Sequence, residues 1–481
     1  MTRDQLGLEP LYYWIKDPTV SGRSIRELLD KGVPRRLSLT GLKSYLEYGC
    51  VCEPYTLIED VRCVLPGGDC ATTHAWCPTC EDKAWTLASA QEAVTRALDE
   101  VMVETMAVHS ERPNVAAFLS GGIDSSALVA MMRRLYDGEI RTYCVTHEDA
   151  KTDERLWAKR VADCNQTKHT ELFLTGDYFS RHLSDAIASY DQPSLDGINF
   201  WFASKMVSEL GEKTILSGEG GDEVFVGYGR FAKARQCYRI ATMLGQLCGS
   251  FCGRTAGTLI ESFAPNEKVR KLGALLSWQG DPYFLSRRVL SDLQIKQLLK
   301  RDLYNDIRKQ PSYEMEWNDA FAIENVSLDE INAISWKEIR TVLLSMYLHD
   351  GWQVSQPFGL EVLAPLVHPK LISLLFTIPG ALKCSEAYLK PLLVNAAGSG
   401  LPMDCVTRSK QGFTLPFDRY FTGVLKDEIE TFLSGESLFF GAKALQKMGT
   451  HYHAGNVNWS RIWVLFMLEK WCKENKVEVH Y

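Results

Sequence analysis

Apolar positions change their spacing several times along the chain, and each change marks an element. The opening stretch "MTRDQLGLEPLYYW" is punctuated by Gly7 and Pro10, then runs apolar and aromatic from Leu11 to Ile15. That pattern predicts a strand, and a strand needs neighbours to pair its backbone. Beyond it the chain soon turns helical: "SIRELLDKG" and "LTGLKSYLEYG" carry helical spacing and each closes on glycine. Residues 50–83 are turn-rich, with short strands expected around Pro66, Gly67 and Gly68. From about residue 85 the spacing alternates. The helix "SAQEAVTRALDEVMVETM" leads to the strand "VAAFL", a glycine turn and the helix "SALVAMMRRLY". The strand "RTYCVTH", the helix "DERLWAKRVADC" and the strands "TELFL" and "KTILSG" come next, the last ending in a second glycine-rich turn at 217–229. Alternating strands and helices predict βαβ units and a parallel sheet. Residues 230–350 read as almost entirely helical, and the remainder as mainly helical with glycine and proline turns around 351–370 and 398–416. Without a repeat or low-complexity linker, the expected fold is one large α/β domain with helical additions.

Composition then narrows the class. With 46% hydrophobic and 23% charged residues, the 481-residue chain has the balance of a soluble globular protein with a sizeable core. Its 53 basic and 60 acidic residues leave a net −7, which offers no nucleic-acid footprint. No apolar run is long enough for a membrane span, and no charged-then-apolar leader is present, so a cytoplasmic location is expected. Most of the 14 cysteines sit in apolar surroundings and predict reduced, buried thiols rather than a disulfide framework. Cys70, His74, Cys77 and Cys80 in "CATTHAWCPTC" have residue types that ligate zinc. A structural zinc site usually joins two such knuckles, and only one is present, so a reduced surface segment is the plainer reading.

Chemistry concentrates in "VAAFLSGGIDSSALVAMM". An apolar strand at 115–119 delivers Ser120, Gly121, Gly122, Ile123, Asp124, Ser125 and Ser126 to the mouth of a helix. Two glycines permit a sharp turn and a close ligand approach. Hydroxyls and amides at a helix N-terminus make an anion cradle. Asp124 beside a phosphate requires a divalent cation between them, which implies Mg2+. A bare SGG would be an ordinary capped turn; strand, motif and apolar helix together point to a nucleotide.

The loop is neither GxxxxGK[ST] nor GxGxxG; it resembles the SGGxDS loop of the ATP pyrophosphatases. "LSGEGGDEVFVGY" at 216–228, "DERLWAKRVADCNQTKHTEL", "DQPSLDGINFW" and "RSKQGF" narrow the resemblance to the asparagine synthetase family, in the family's order and over residues 38–481. The resemblance implies a parallel-sheet ATP-pyrophosphatase core of the adenine nucleotide α-hydrolase type. It also implies a reaction in which a carboxylate attacks the α-phosphorus of ATP, releases pyrophosphate, and passes its acyl group from AMP to ammonia or an amine. By position, Ser120, Gly121, Gly122, Asp124 and Ser125 would hold pyrophosphate, with Asp124 and Asp222 on Mg2+. Leu119 and Val145 would lend backbone to the adenine, and Gly218 would lie against the nucleotide. Glu219 would move the amine's proton, and Lys410 would stabilise charge on phosphate. The plain alternatives are a local salt bridge for Glu219 and a solvated loop lysine for Lys410.

The chain departs from the family beside the acyl substrate. Where relatives read D-x-D-x-M-S-M-A-x-x-L-E-V-R-V-P-F-L-D, residues 350–368 read "DGWQVSQPFGLEVLAPLVH". Asp350, Ser355, Glu361 and Pro365 stay in step, while Trp352, Leu363 and His368 replace an aspartate, an arginine and an aspartate. These changes alter pocket chemistry or its support, so aspartate is not the expected substrate by default. A glutamate at 219 argues against the β-lactam-forming relatives, which carry tyrosine there; lasso-peptide macrolactam synthetases stay open.

Family members begin with a glutaminase domain of the N-terminal-nucleophile type, and its closing segment resembles residues 2–20. Residues 1–37 are therefore expected to be the remnant of that domain, and 38–481 the synthetase. Thr2 abuts the closing strand and is not expected to be a nucleophile. Three sources of the difference stand open: a separate glutaminase subunit contacting residues 2–20, direct use of ammonia or a substrate amine, or a shortened chain. The rivals to an amide synthetase are a tRNA-thiolating pyrophosphatase, disfavoured by the acidic balance, and an inactive scaffold, disfavoured by retention of Asp124, Asp222, Glu219 and Lys410.

Overall fold

The opening strand has neighbours on both sides. In the computed structural model β1 (Tyr12–Trp14) is the middle of a three-stranded antiparallel sheet, between β2 (Asp17–Gly22) and β3 (Val61–Cys63). The model describes residues 1–78, 83–107, 114–149, 153–227, 280–323, 328–409 and 414–479, with isolated residues between 257 and 273. Tyr12 is buried, and the polar "DPTVSG" of β2 forms an outer edge. The two predicted helices follow as α1 (Ile25–Asp30) and α2 (Leu39–Tyr48), and the Glu27 and Gly41 amides in their first turns donate to the hydroxyls of Ser24 and Ser38. Residues 1–37 pack into the same apolar core as the rest, and the Leu37 amide donates to the Glu478 carbonyl at 3.0 Å. Ahead of β1, Arg3 is 5% exposed. Its guanidinium forks onto Glu53 at 2.5 and 2.9 Å and also donates to the carbonyls of Gly7, Glu9 and Val64.

After α3 (Leu87–Ala107) the chain enters the predicted parallel sheet. Its strands are β4 (Asn114–Phe118), β5 (Glu139–His147), β6 (Lys168–Leu174), β7 (Thr214–Leu216) and β8 (Glu361–Leu363), in the order β6-β5-β4-β7-β8, all parallel. Between them lie α4 (Ile123–Leu135), α5 (Arg155–Cys164), α6 (Gly176–Ser189) and α7 (Ile198–Glu209), with α8 (Gly221–Val224) directly after β7. The alternation of apolar strand and amphipathic helix thus produces the expected α/β core. β8 is an addition to that expectation, because three residues between a glycine turn and a proline carry too little periodicity to read as a strand. β4 and β7 are neighbours, with Ala117 opposite Leu216, so the loops leaving their carboxyl ends meet.

Helices dominate beyond residue 280. Pro282–Arg287, Asp292–Leu298, Arg301–Ile307 and Tyr313–Phe321 precede a continuous helical run of Glu330–Glu338, Ile339–Leu348 and His349–Ser355. The middle part of that run is wound as a π-helix. Fully buried Arg340 on it donates to the carbonyls of Leu6, Gln5 and Trp76 at 3.2, 3.3 and 2.7 Å, and its guanidinium lies 4.7 Å from the Trp336 ring centre. No helix among the described residues is long and apolar enough to cross a membrane. Cys50, Cys52, Cys63, Cys144, Cys405 and Cys472 are buried free thiols, and Cys70 and Cys77 are exposed ones. Cys80, the remaining thiol of the zinc-type grouping, lies outside the described residues.

Candidate active site

The loop leaving β4 folds on itself. The Ser120 amide donates to Ser125 Oγ at 3.2 Å, the Gly122 amide to Ser120 Oγ at 3.3 Å, and Ser125 Oγ to the Gly122 carbonyl at 3.3 Å. Gly122 is the N-cap of α4 and supplies no side-chain cap, the arrangement in which a helix N-terminus can take an anion. The two glycines differ in purpose. Gly121 has φ +73°, and a Cβ there would lie 2.5 Å from Trp157 Cβ on α5, so its small size admits helix packing as well as the turn. At Gly122 a Cβ would meet only Ser120 Oγ, at 3.3 Å, which leaves that side of the loop open. The buried Leu119 spends its amide on the Tyr143 carbonyl at 2.8 Å, and Val145 lies two residues further along β5.

One residue holding this loop comes from the "RSKQGF" segment, where its position alone assigns it no role. Arg408 donates to the Gly121 carbonyl at 3.1 Å and to Glu154 at 2.5 Å, and packs over the Trp157 ring. Lys410 and the three residues after it lie outside the described residues.

The second loop lies across the first. A Cβ on Gly218 would come within 2.8 Å of the Ser125 amide nitrogen, and one on Gly221 within 2.3 Å of Asp124 Oδ1. Only glycines allow this approach, and its result is that Asp124 and Asp222 converge on one point. At that point stands the Lys390 ammonium, 2.5 Å from Asp124 Oδ1 and 2.5 Å from Asp222 Oδ1. Lys390 is 3% exposed and sits with left-handed backbone, φ 57°, immediately ahead of the helix Pro391–Ala397. Burial pulls its pKa down, but the two carboxylates outweigh this and hold the pKa above the usual lysine value. Nothing in the sequence flagged Lys390 except a charge standing inside the apolar stretch "AYLKPLLV".

Glu219 comes off the same second loop, its amide donating to Ser217 Oγ at 3.3 Å. Burial, with Asp196 and Glu223 nearby, pushes its carboxyl up to about 8. Burial likewise raises Asp196 to about 6, although the Gly197 amide and Asn199 pull it back. Asp350 is buried and raised as well, while accepting from Ser194 Oγ at 2.5 Å and Gln353 Nε2 at 2.7 Å. Gly351 faces Glu219: a Cβ there would sit 3.2 Å from Glu219 Oε2 and 3.6 Å from Phe200. The segment "DQPSLDGINFW" therefore joins helix to site, since the Asp191 amide also donates to Gln353 Oε1 at 2.7 Å. Of the departures from the family pattern, Leu363 ends β8 opposite Leu216, and its carbonyl accepts from Ser217 at 2.7 Å. His368 is a helix cap, with Nδ1 accepting the Lys370 amide at 3.3 Å ahead of the helix Pro369–Thr377.

Comparison with known proteins gives a consistent picture. A family model described as asparagine synthase matches residues 96–473. The Bacillus subtilis (strain 168) protein named asparagine synthetase [glutamine-hydrolyzing] 1 is 23% identical over 500 aligned residues, covering all of this chain and 76% of its own length. Asparagine synthetase [glutamine-hydrolyzing] 3 of the same organism is 23% identical over 264 residues, 48% of this chain and 41% of its own. The matched parts thus span 76% and 41% of those two relatives.

Proposed function

The chain belongs to the asparagine synthase family, and from that we propose that it is an ATP-dependent ligase forming an amide by way of an acyl-adenylate. The observation that carries this reading is the convergence of Asp124 and Asp222 on one cation position beneath an SGGxDS loop, at the carboxyl ends of adjacent parallel strands. Two carboxylates already sharing a cation are the donor set a hard divalent ion requires, so the site fits Mg2+. When bound, the ion would draw charge off the phosphates and orient the pyrophosphate leaving group. The amides of residues 122–125 and the hydroxyls of Ser120 and Ser125 would cradle pyrophosphate, with Gly121 kept in place by Arg408. The strand ends at Leu119 and Val145 would take the adenine, Gly218 would lie along the nucleotide, and Lys410 would meet charge on phosphate in both half-reactions.

Glu219 would accept the proton that the attacking nitrogen sheds. A carboxyl at about 8 is a better match to an amine's proton than an ordinary carboxylate. Leu363, standing where an arginine would pair a carboxylate, supports an acyl substrate other than aspartate, from small to peptidic. The nitrogen would come from free ammonia, a substrate amine or a glutaminase partner. Since β1 is paired on both edges, a partner extending its sheet would use the outer edge of β2 or of β3, and β2 is the one that overlaps residues 2–20.

Supplying ATP, Mg2+ and a panel of carboxylates, with and without ammonia, should release pyrophosphate and AMP with the productive acid. Asp124→Ala should lower that release by about 100-fold or more. Release unchanged in Asp124→Ala would dismiss the site, and binding of a partner with no release from any acid would favour a scaffold. Co-purification of a glutaminase would support the partner, whereas glutamine-independent turnover of the pure chain would remove the need for it.

A further inference from the structure

Lys390 stands where the metal would stand. A hard divalent cation lies about 2.0–2.5 Å from carboxylate oxygens, and the Lys390 nitrogen lies 2.5 Å from an oxygen of each acid. The two cations cannot occupy that volume together. We propose that the Lys390 ammonium is a built-in counter-ion that excludes the divalent metal from the nucleotide-free site, so that metal is admitted only together with the nucleotide. This rests on the reading of Asp124 and Asp222 as metal ligands.

The placement is built rather than incidental. Lys390 is almost wholly buried, so its amine is held out of solvent against the two acids. Its left-handed backbone is a conformation that non-glycine residues adopt only when their surroundings hold them there. Pro391 comes next and disfavours the right-handed helical alternative at residue 390. Gly227 leaves room for the lysine stem, because a Cβ there would lie 1.8 Å from Lys390 Cε. A bare metal ion would have to expel a buried ammonium from both of its carboxylate partners. A metal–nucleotide complex brings phosphate oxygens that can take the displaced ammonium, so only that complex compensates both charges.

The test measures Mn2+ binding to the full, nucleotide-free chain by electron paramagnetic resonance. Wild type is expected to show no saturable site below millimolar Mn2+, and to acquire one when ATP is added. Lys390→Gln should bind Mn2+ without nucleotide at least about tenfold more tightly than wild type, while Lys390→Arg, which keeps the charge, should behave as wild type. Equal Mn2+ binding by wild type and Lys390→Gln without nucleotide overturns the proposal. If Lys390→Gln does not fold, amine-reagent labelling of wild-type Lys390 decides. Mn2+ alone should leave its labelling unchanged and Mn2+ with ATP should change it; a change with Mn2+ alone, or none with both, overturns the proposal. Asp124→Asn separates the two readings. If it binds Mn2+ with ATP as wild type does, the metal-ligand assignment falls; if it loses that binding while Lys390→Gln gains none, only the exclusion by Lys390 falls.

Discussion

At the scale of single residues, one ammonium, that of Lys390, bridges Asp124 and Asp222 at 2.5 Å from an oxygen of each. Asp124 and Asp222 each open a helix behind a glycine-rich turn that follows an apolar strand, a spacing that points to a ligand. Lys390 lies about 170 residues beyond Asp222, before an ordinary proline-led helix, and only tertiary packing brings it to the acids. Arg408 was legible as part of "RSKQGF", but its contact with the Gly121 carbonyl has no local signature. Glu219 was legible by position, while its protonation results from burial and from Asp196 and Glu223, which periodicity does not reveal. That raised pKa has a thermodynamic consequence. Between the unfolded value of 4.5 and the folded value of about 8, the folded chain holds a proton that the unfolded chain has lost. Stability from this group therefore falls as pH rises through that window. Glu219→Gln, which mimics the protonated form, should raise the melting temperature by about 2 °C at pH 8.5 and leave it unchanged at pH 4.5. A uniform shift at both pH values would contradict the assignment.

Among the elements, those with a clear period lie close to their expected boundaries, and the short strands β1 and β7 stand where apolar runs mark them, whereas two elements carry no such mark. β4 and β5 and the helices α2, α3 and α4 are long enough to state their type. β8 and the π-wound turns Ile339–Leu348 are not distinguishable from a turn and an ordinary helix by spacing alone. The departures in residues 350–368 separate here as well. His368 was a candidate for altered pocket chemistry, yet its ring accepts the Lys370 amide at the start of a helix, which is the work an aspartate would do there. His368→Ala should accordingly cost about 0.5–1 kcal/mol in a denaturant melt and leave pyrophosphate release with the productive acid unchanged. Lost release at full stability would return His368 to the substrate pocket.

For the molecule as a whole, the sequence implied an α/β fold, and the five-stranded parallel sheet with its flanking helices is one. What it did not convey is how firmly the opening residues are tied to the rest. Arg3 is buried against Glu53, Arg340 grips the Gln5 and Leu6 carbonyls, and Tyr12 Oη lies 2.7 Å from His349 Nε2. Burial, aided by Arg3, drives the His349 pKa down to about 3, so the ring is neutral and this link is a plain hydrogen bond at ordinary pH. Arg3→Met leaves Glu53 buried without its partner and should lower the unfolding free energy by about 3–5 kcal/mol. A loss under about 1 kcal/mol would show that Glu53 finds water or another donor.

The clamp on Arg3 has a mechanical side. Met1 is 87% exposed and Arg3 only 5%, so the chain passes from solvent to a fixed anchor in two residues. Anything fused ahead of Met1 is joined by a weld rather than a tether. Its position over the molecule would be set by the direction in which the backbone emerges, not by a random walk of linker residues. A fused fluorophore should show slow, whole-body tumbling instead of independent wobble. Freedom to swing would have to be supplied by added glycine and serine, because two residues ahead of a buried anchor contribute almost none.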